Sequence, residues 1–212
     1  MIRKIGFYFI TDRQLSKNGI FDDVEKAIAG GSRMIQYRDK GKSDAEMLPA
    51  ARRLRAITSK AGARLIINDS ISVCLASGAD GVHLGQDDFS LAEARQALGN
   101  KIIGVTVHDA LEAIAAERRG ADYIGASPIF STSTKKDAGI AIGIDGLRRI
   151  RIHAKLPLVA IGGITLQNAR EAIKSGADGI CAISATSGDD IDGKVKKFTG
   201  LFRSKPPANP NI

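Results

Sequence analysis

Cysteine is scarce in this 212-residue chain, occurring only as Cys74 and Cys181. Neither has a second cysteine or a histidine nearby at metal-ligand spacing. Two buried, inert thiols in a reducing compartment are therefore expected, rather than a disulfide framework or a zinc site. Long apolar runs are missing as well, and no stretch approaches the roughly 20 residues a helix needs to cross a bilayer. Met1–Ile10 carries a basic pair and then apolar residues, but Asp12 and Arg13 interrupt it and no small-residue cleavage site follows, so a signal peptide is not expected. Histidine occurs three times, without a Ser-His-Asp order or a Cys-His pairing, which argues against nucleophilic hydrolysis. A cytoplasmic protein without membrane attachment is the expectation.

What is present fits one domain. At 212 residues the chain can bury a sizeable core, and 43% hydrophobic with 25% charged residues is ordinary for a soluble protein. Twenty-three glycines against six prolines suit many tight strand–helix junctions. The net charge of +8 could serve nucleic acid, a membrane surface or anionic metabolites. Its arginines (Arg52, Arg53, Arg55; Arg118, Arg119; Arg148, Arg149, Arg151) are spread over helical segments without aromatic interleaving. A solvated basic surface is expected, with no nucleic-acid site.

Eight short apolar runs each end in polar residues. Phe7–Ile10 leads into Thr11-Asp12, Met34-Ile35 into Gln36 through Lys40, Leu65–Ile67 into Asn68-Asp69, and Val82–Leu84 into Gly85 through Asp88. Ile102–Val105 leads into Thr106, Tyr123–Gly125 into Ser127 through Lys136, Leu158–Ile161 into Gly162-Gly163, and Ile180–Ile183 into Ser184. Gly78-Ala79-Asp80, Gly120-Ala121-Asp122 and Gly176-Ala177-Asp178 each close a helical segment and open a strand, with Gly30-Gly31-Ser32 a degenerate fourth copy. The glycine is expected to cap the helix in the left-handed region. Helical periodicity is clear in Asp22–Ala29, Asp44–Ala61 and Ala92–Leu98. This alternation predicts a single-domain (β/α)8 barrel of parallel strands over residues 1–203, with 204–212 as a frayed tail. An open doubly wound sheet is the rival; eight units and no glycine-rich dinucleotide turn after the first strand favour closure.

Parallel barrel strands present their C-terminal ends on one face, so these polar endings should converge on one ligand. Asp69 and Asp88 end neighbouring strands, and such a carboxylate pair suits a hard cation such as Mg2+ that takes further ligands from water and a substrate phosphate. The alternative is capping, with Asp69 serving the helix near Ile71 and Asp88 the one near Leu91. Gln36, Arg38 and Lys40 alternate, so along an extended strand end all three point one way; the two cations would counter a charged anion and Gln36 could read a heteroatom edge. Ser131 through Lys136 offers hydroxyls, backbone amides and lysines suited to a phosphate-grasping lid, or else is a plain mobile loop. Gly162-Gly163 and Ile183-Ser184 lie where barrels often bind phosphate through backbone amides, although a tight turn also accounts for the glycines. His83 is read as a hydrogen-bonded core histidine, and His108 is left unassigned.

These residues carry a resemblance. Tyr8–Asp12, Gln36–Lys40, Ile67–Asp69, Ala79–Asp88, Ile103–Thr106, Ala121–Gly125, Thr132–Lys135, Ala160–Ile164 and Asp178–Ile180 with Ile183-Ser184 resemble, in order and spacing, the thiamine-phosphate synthase family from about Phe7 to Ser187. The resemblance implies a transferase that joins 4-amino-5-hydroxymethyl-2-methylpyrimidine diphosphate to 4-methyl-5-(2-hydroxyethyl)thiazole phosphate, with Mg2+ required. Thiamine phosphate and pyrophosphate would be the products, formed through a pyrimidine-stabilised carbocation that the thiazole nitrogen captures. By the same resemblance Asp69 and Asp88 would hold Mg2+, while Arg38, Lys40, Asn68 and Lys135 would spread the departing charge. Gln36 would bind the pyrimidine and Thr106 the pyrimidine or the diphosphate. Thr132 and Thr134 would serve the thiazole phosphate or the lid side of the site, and Gly163, Ile183 and Ser184 the thiazole phosphate through amides and hydroxyl. Thr106 stands where the family typically has Ser, and Ser127, Ser131 and Ser133 where it often has Gly, Pro and Lys. A thiazole tautomerase and a non-catalytic phosphometabolite sensor on the same fold are the competing readings. A homo-oligomer is compatible with the sequence, which leaves the oligomeric state open.

Overall fold

The computed structural model of the chain describes residues 5–85, 91–134 and 139–203. Strands β1 (Gly6–Ile10), β2 (Met34–Tyr37), β3 (Arg64–Asn68), β4 (Gly81–Leu84), β5 (Ile102–Val107), β6 (Tyr123–Ala126), β7 (Leu158–Ala160) and β8 (Gly179–Ile180) pair side by side in chain order. All pairings are parallel, and the ring closes where Gly6 and Phe7 meet Gly179 and Ile180. The expected closed barrel is found, and the open sheet is excluded. Helices α1 (Ile20–Ala29), α2 (Asp44–Lys60), α3 (Ile71–Ser77), α4 (Leu91–Leu98), α5 (Ala110–Arg118), α6 (Gly143–His153) and α7 (Ala169–Lys174) join successive strands, while α8 (Ile183–Thr186) and α9 (Ile191–Gly200) follow β8. The helices foreseen from periodicity stand within two residues of their expected ends. Among the described residues no helix is long and apolar enough to cross a membrane.

Strand parity sorts the side chains into two cores, because successive residues of a strand face opposite sides of the sheet. Phe7 and Phe9 of β1, Ile35 and Tyr37 of β2, and Leu65 and Ile67 of β3 pack outward against the helices. Tyr8, Ile10, Met34, Ile66, Tyr123, Val159 and Cys181 form a second cluster inside the ring. The interior holds two tyrosines because Gly104 of β5 lies under one of them: a Cβ there would sit 2.0 Å from Cζ of Tyr123.

The Gly-Ala-Asp repeat works differently from the expectation in one respect. Only Gly78 is itself the left-handed C-cap; Gly31, Gly120 and Gly176 take positive φ one residue beyond the cap. The aspartates do more than route the chain. Oδ2 of Asp80, Asp122 and Asp178 accepts the backbone N–H of Leu65, Ile103 and Leu158 near the start of the preceding strand, at 2.7, 2.9 and 3.1 Å. Each carboxylate also pairs with an arginine on the helix two before its strand: Arg55 of α2, Arg95 of α4 and Arg151 of α6, at 2.9, 2.7 and 3.1 Å. Arg55 and Arg151, assigned above to a solvated basic surface, are therefore structural, as is Arg95. They clamp the end of the barrel where the strands begin, opposite the strand ends that carry polar residues.

Candidate active site

A cavity of about 350 Å3 opens at the C-terminal ends of the strands. Gln36, Arg38, Lys40, Asn68, Asp69, Thr106, Thr132, Thr134, Gly163, Ile183 and Ser184 all line it. Eleven of the thirteen residues singled out in the sequence thus share one concave site. The other two, Asp88 and Lys135, lie outside the described residues, as does the 204–212 segment. Some placements differ in detail. Strand β2 stops at Tyr37, so Arg38 and Lys40 reach the cavity from the turn beyond it instead of from an extended strand. Thr106 sits within β5, and β8 ends at Ile180, leaving Ile183 and Ser184 on the first turn of α8.

The segment that carries Arg38 and Lys40 is fixed from below. Thr11 Oγ1 accepts the Arg38 backbone N–H at 3.0 Å and donates to the Arg38 carbonyl at 3.2 Å. Between the two cations, Asp39 turns away from the cavity and is buried. Arg13 reaches it with Nε and Nη2, the closest approach being 2.6 Å, and the Tyr37 hydroxyl donates to it at 3.2 Å. Burial alone would raise the Asp39 carboxyl; the guanidinium and the phenol outweigh it and hold the carboxyl below its ordinary range. The backbone of two cavity-facing cations is thereby held by one buried carboxylate.

Asp69 follows β3 with φ +63°, a left-handed conformation that aspartate tolerates better than most residues. Its N–H donates to the His83 carbonyl at 2.9 Å, and Asn68 Nδ2 donates to its Oδ2 at 2.5 Å. The capping alternative fails here, since Ser70 is the N-cap of α3 and its hydroxyl accepts from the Val73 N–H at 3.1 Å. Asp69 is thus left on the cavity wall. Among the described residues no three or more of His, Cys, Asp and Glu gather as a metal cluster. The oxygen donors at the mouth suit a hard cation that shares its shell with water and an anionic ligand.

On the far side, Gly162 and Gly163 follow β7 with φ +96° and +61°. Their close neighbour is the chain leaving β6: Ile129 N–H donates to the Ile161 carbonyl at 2.9 Å and Phe130 N–H to the Gly162 carbonyl at 3.0 Å. A Cβ on Gly163 would come within 2.5 Å of the Ser131 carbonyl oxygen. The glycine pair therefore seats the start of the loop that carries Thr132 and Thr134.

The cavity floor was not foreseen. Gln36 Nε2 donates to the Tyr8 hydroxyl at 2.9 Å, Tyr8 and Tyr123 hydroxyls lie 2.9 Å apart, and the Tyr123 hydroxyl lies 2.9 Å from His83 Nδ1. His83 Nε2 in turn lies 3.0 Å from Thr106 Oγ1. The hydrogen-bonded histidine expected at position 83 is there, and it also lines the cavity. His108 lines it too, with Nδ1 2.9 Å from Glu112. Burial pushes both phenols well above their ordinary range and does the same to the Cys181 thiol. The Cys74 thiol is pushed up to about 11 by burial, and both cysteines are free, as expected of inert thiols.

Known proteins match this arrangement. The family model for thiamine monophosphate synthase matches residues 7–186. Thiamine-phosphate synthase of Chloroflexus aurantiacus is 47% identical over 196 residues, covering 92% of this chain and 91% of the relative. That of Methanosarcina mazei is 47% identical over 205 residues, covering 96% and 85%. Among solved structures, a thiamine phosphate pyrophosphorylase from Pyrococcus furiosus superposes with a TM-score of 0.86 at 38% identity, covering 94% of this chain and 96% of that one.

Proposed function

From a chain that belongs to the thiamine monophosphate synthase family, we infer a thiamine-phosphate synthase, a transferase of thiamine biosynthesis. It joins the hydroxymethylpyrimidine diphosphate to the thiazole phosphate. The bond between the pyrimidine methylene carbon and the diphosphate oxygen breaks with its electron pair leaving on pyrophosphate. The thiazole nitrogen lone pair then forms the new C–N bond. One observation carries the assignment of residues to this reaction: cations, an acidic residue, an amide reader and a hydroxyl-bearing loop from distant stretches of sequence line a single cavity.

No protein nucleophile is needed, so the residues act by placement and charge. Arg38, Lys40 and Asn68 lie on one side of the cavity and would stabilise the leaving diphosphate, with Lys135 as a further cation for it. Gln36 on the floor would take the pyrimidine, and Thr106, at the other end of the floor's hydrogen-bonded side chains, the pyrimidine or the diphosphate. Across the cavity, Thr132, Thr134, Ser184 and the backbone of Gly163 and Ile183 would take the thiazole phosphate. Asp69 and Asp88 would hold Mg2+, which when bound offsets charge on the diphosphate. A cytoplasmic location is part of this reading.

The test supplies purified protein with both substrates and Mg2+ and follows thiamine phosphate and pyrophosphate. Both should accumulate in equal amounts, and EDTA should abolish turnover. Binding of the pyrimidine diphosphate without pyrophosphate release would indicate a sensor instead. Isomerisation of a thiazole carboxylate phosphate would indicate a tautomerase.

A further inference from the structure

The five hydrogen-bonded side chains of the cavity floor come from five strands: Gln36 of β2, Tyr8 of β1, Tyr123 of β6, His83 of β4 and Thr106 of β5. Every link between them is 2.9 or 3.0 Å long. Such a chain has a direction. An amide nitrogen only donates, so the Tyr8 oxygen accepts from Gln36 and its single proton passes to Tyr123. The Tyr123 proton then goes to His83 Nδ1, which must be bare. A neutral imidazole of that form carries its hydrogen on Nε2 and donates it to Thr106 Oγ1. Turning the Gln36 carboxamide over would present its oxygen to Tyr8, and every bond in the chain would have to reverse, ending with the hydrogen on His83 Nδ1. The amide orientation at one end and the histidine tautomer at the other are therefore one variable.

We propose that Tyr8, Tyr123 and His83 are positioning residues that fix which way the Gln36 carboxamide faces, and so select the hydrogen-bonding edge of the heterocycle. With one Nε2 hydrogen committed to Tyr8, Gln36 offers its carbonyl oxygen and its second N–H to the cavity. That pair matches an amino group beside an unprotonated ring nitrogen, the same pairing by which glutamine reads adenine. A ring bearing an oxo group beside an N–H offers the opposite order and would require the whole chain to reverse. The selection is thus for amino over oxo pyrimidines. It rests on the proposed function above for the identity of the substrate.

The experiment compares kcat/KM for the amino and the oxo pyrimidine diphosphates in the native protein and in Tyr8→Phe, Tyr123→Phe and the double variant. Phenylalanine keeps the ring and removes only the hydroxyl. Each single variant should narrow the native preference by about tenfold, on the order of one buried hydrogen bond. The double variant should narrow it no further, because the links act as one unit. The KM for the thiazole phosphate should stay unchanged, which a general loosening of the barrel would not allow. Independently, the 15N spectrum of the native protein should show His83 as the Nε2–H tautomer, a result that does not depend on any variant folding. Full native discrimination in both single variants, or an Nδ1–H tautomer, would overturn the proposal while leaving the synthase reading in place. Absence of thiamine phosphate from the native reaction would instead remove that reading, and the tautomer would still decide the direction of the chain.

Discussion

Replacing Gly104 by alanine tests whether the cavity floor is as tightly built as the geometry requires. Gly104 pairs with Tyr123 across β5 and β6, and an added Cβ would lie 2.0 Å from Cζ and 2.3 Å from both Cε1 and the hydroxyl oxygen. These separations are far inside contact distance, so the ring must move. It has little room, being fully buried with the Tyr8 ring centre 6.0 Å away and that of His83 at 5.5 Å. Overpacking a filled core costs about 1–3 kcal/mol. Pulling the phenol from its two partners leaves buried polar atoms unmatched, for about 1–3 kcal/mol more. The lower chain entropy of alanine returns roughly 0.5–1 kcal/mol. The net expectation is a loss of about 3 kcal/mol, a large share of a typical domain stability of roughly 5–15 kcal/mol. Urea unfolding followed by circular dichroism reads it directly, provided the denaturant slope is unchanged. In a thermal scan the drop should be about 6–12 °C for a chain of this size. Gly200, which ends α9 and has open space where a Cβ would go, serves as the control and should tolerate alanine without loss. A Gly104→Ala protein within about 1 kcal/mol of the native one would refute the packing argument.

Three further outcomes are expected. Asp69→Asn keeps a residue that accepts positive φ but removes the charge; turnover should fall about a hundredfold with little change in melting temperature, whereas Ser70→Ala should cost about 1 kcal/mol through its lost cap and spare turnover. Equal kinetic effects of the two would return Asp69 to a structural role. Arg13→Ala should lower stability only where Asp39 is ionised: its carboxyl is depressed in the folded state, so the stabilisation is complete above the ordinary value of 3.8 and disappears as pH falls through the depressed one. Urea midpoints across that acid range should therefore converge for the two proteins, and a constant gap would dismiss the Arg13–Asp39 pair as its origin. Gly163→Ala would set a Cβ 2.5 Å from the Ser131 carbonyl oxygen at φ +61°, costing about 2–4 kcal/mol and raising the KM for thiazole phosphate more than that for the pyrimidine diphosphate; the reverse order of effects would place the loop on the other substrate.

How much of this the amino-acid sequence discloses depends on whether a feature is local. The rim of the cavity is local: a polar residue at the downstream end of an apolar run faces the mouth on whichever strand it lies, so Asn68, Asp69 and Thr106 are recognisable without knowing what stands opposite. Strand limits are less secure, since Arg38 and Lys40 reach the mouth from a turn and Ser184 from a short helix, neither distinguishable from strand by hydrophobic pattern alone. The arginine clamps span 25 to 27 residues from helix to aspartate, at a spacing regular enough to be found once the repeat is aligned. The floor belongs to a different category. Tyr8 and Tyr123 meet across 115 residues, and each alone looks like any core aromatic. Which side of its strand a residue faces is fixed by the register of all eight strands together, so no single segment reveals that two phenols, an amide and an imidazole share one interior. Yet the sequence does carry an indirect trace of them. Gly104 and Gly125 lie in the middle of strands, where glycine is otherwise unfavourable, and a mid-strand glycine marks close approach by something large. Here the large neighbours are Tyr123 over Gly104 and His83 against Gly125, the latter 3.3 Å from the position a Cβ would take. The missing side chains in β5 and β6 thus point to two groups of the hydrogen-bond chain that the polar residues of the rim leave unannounced.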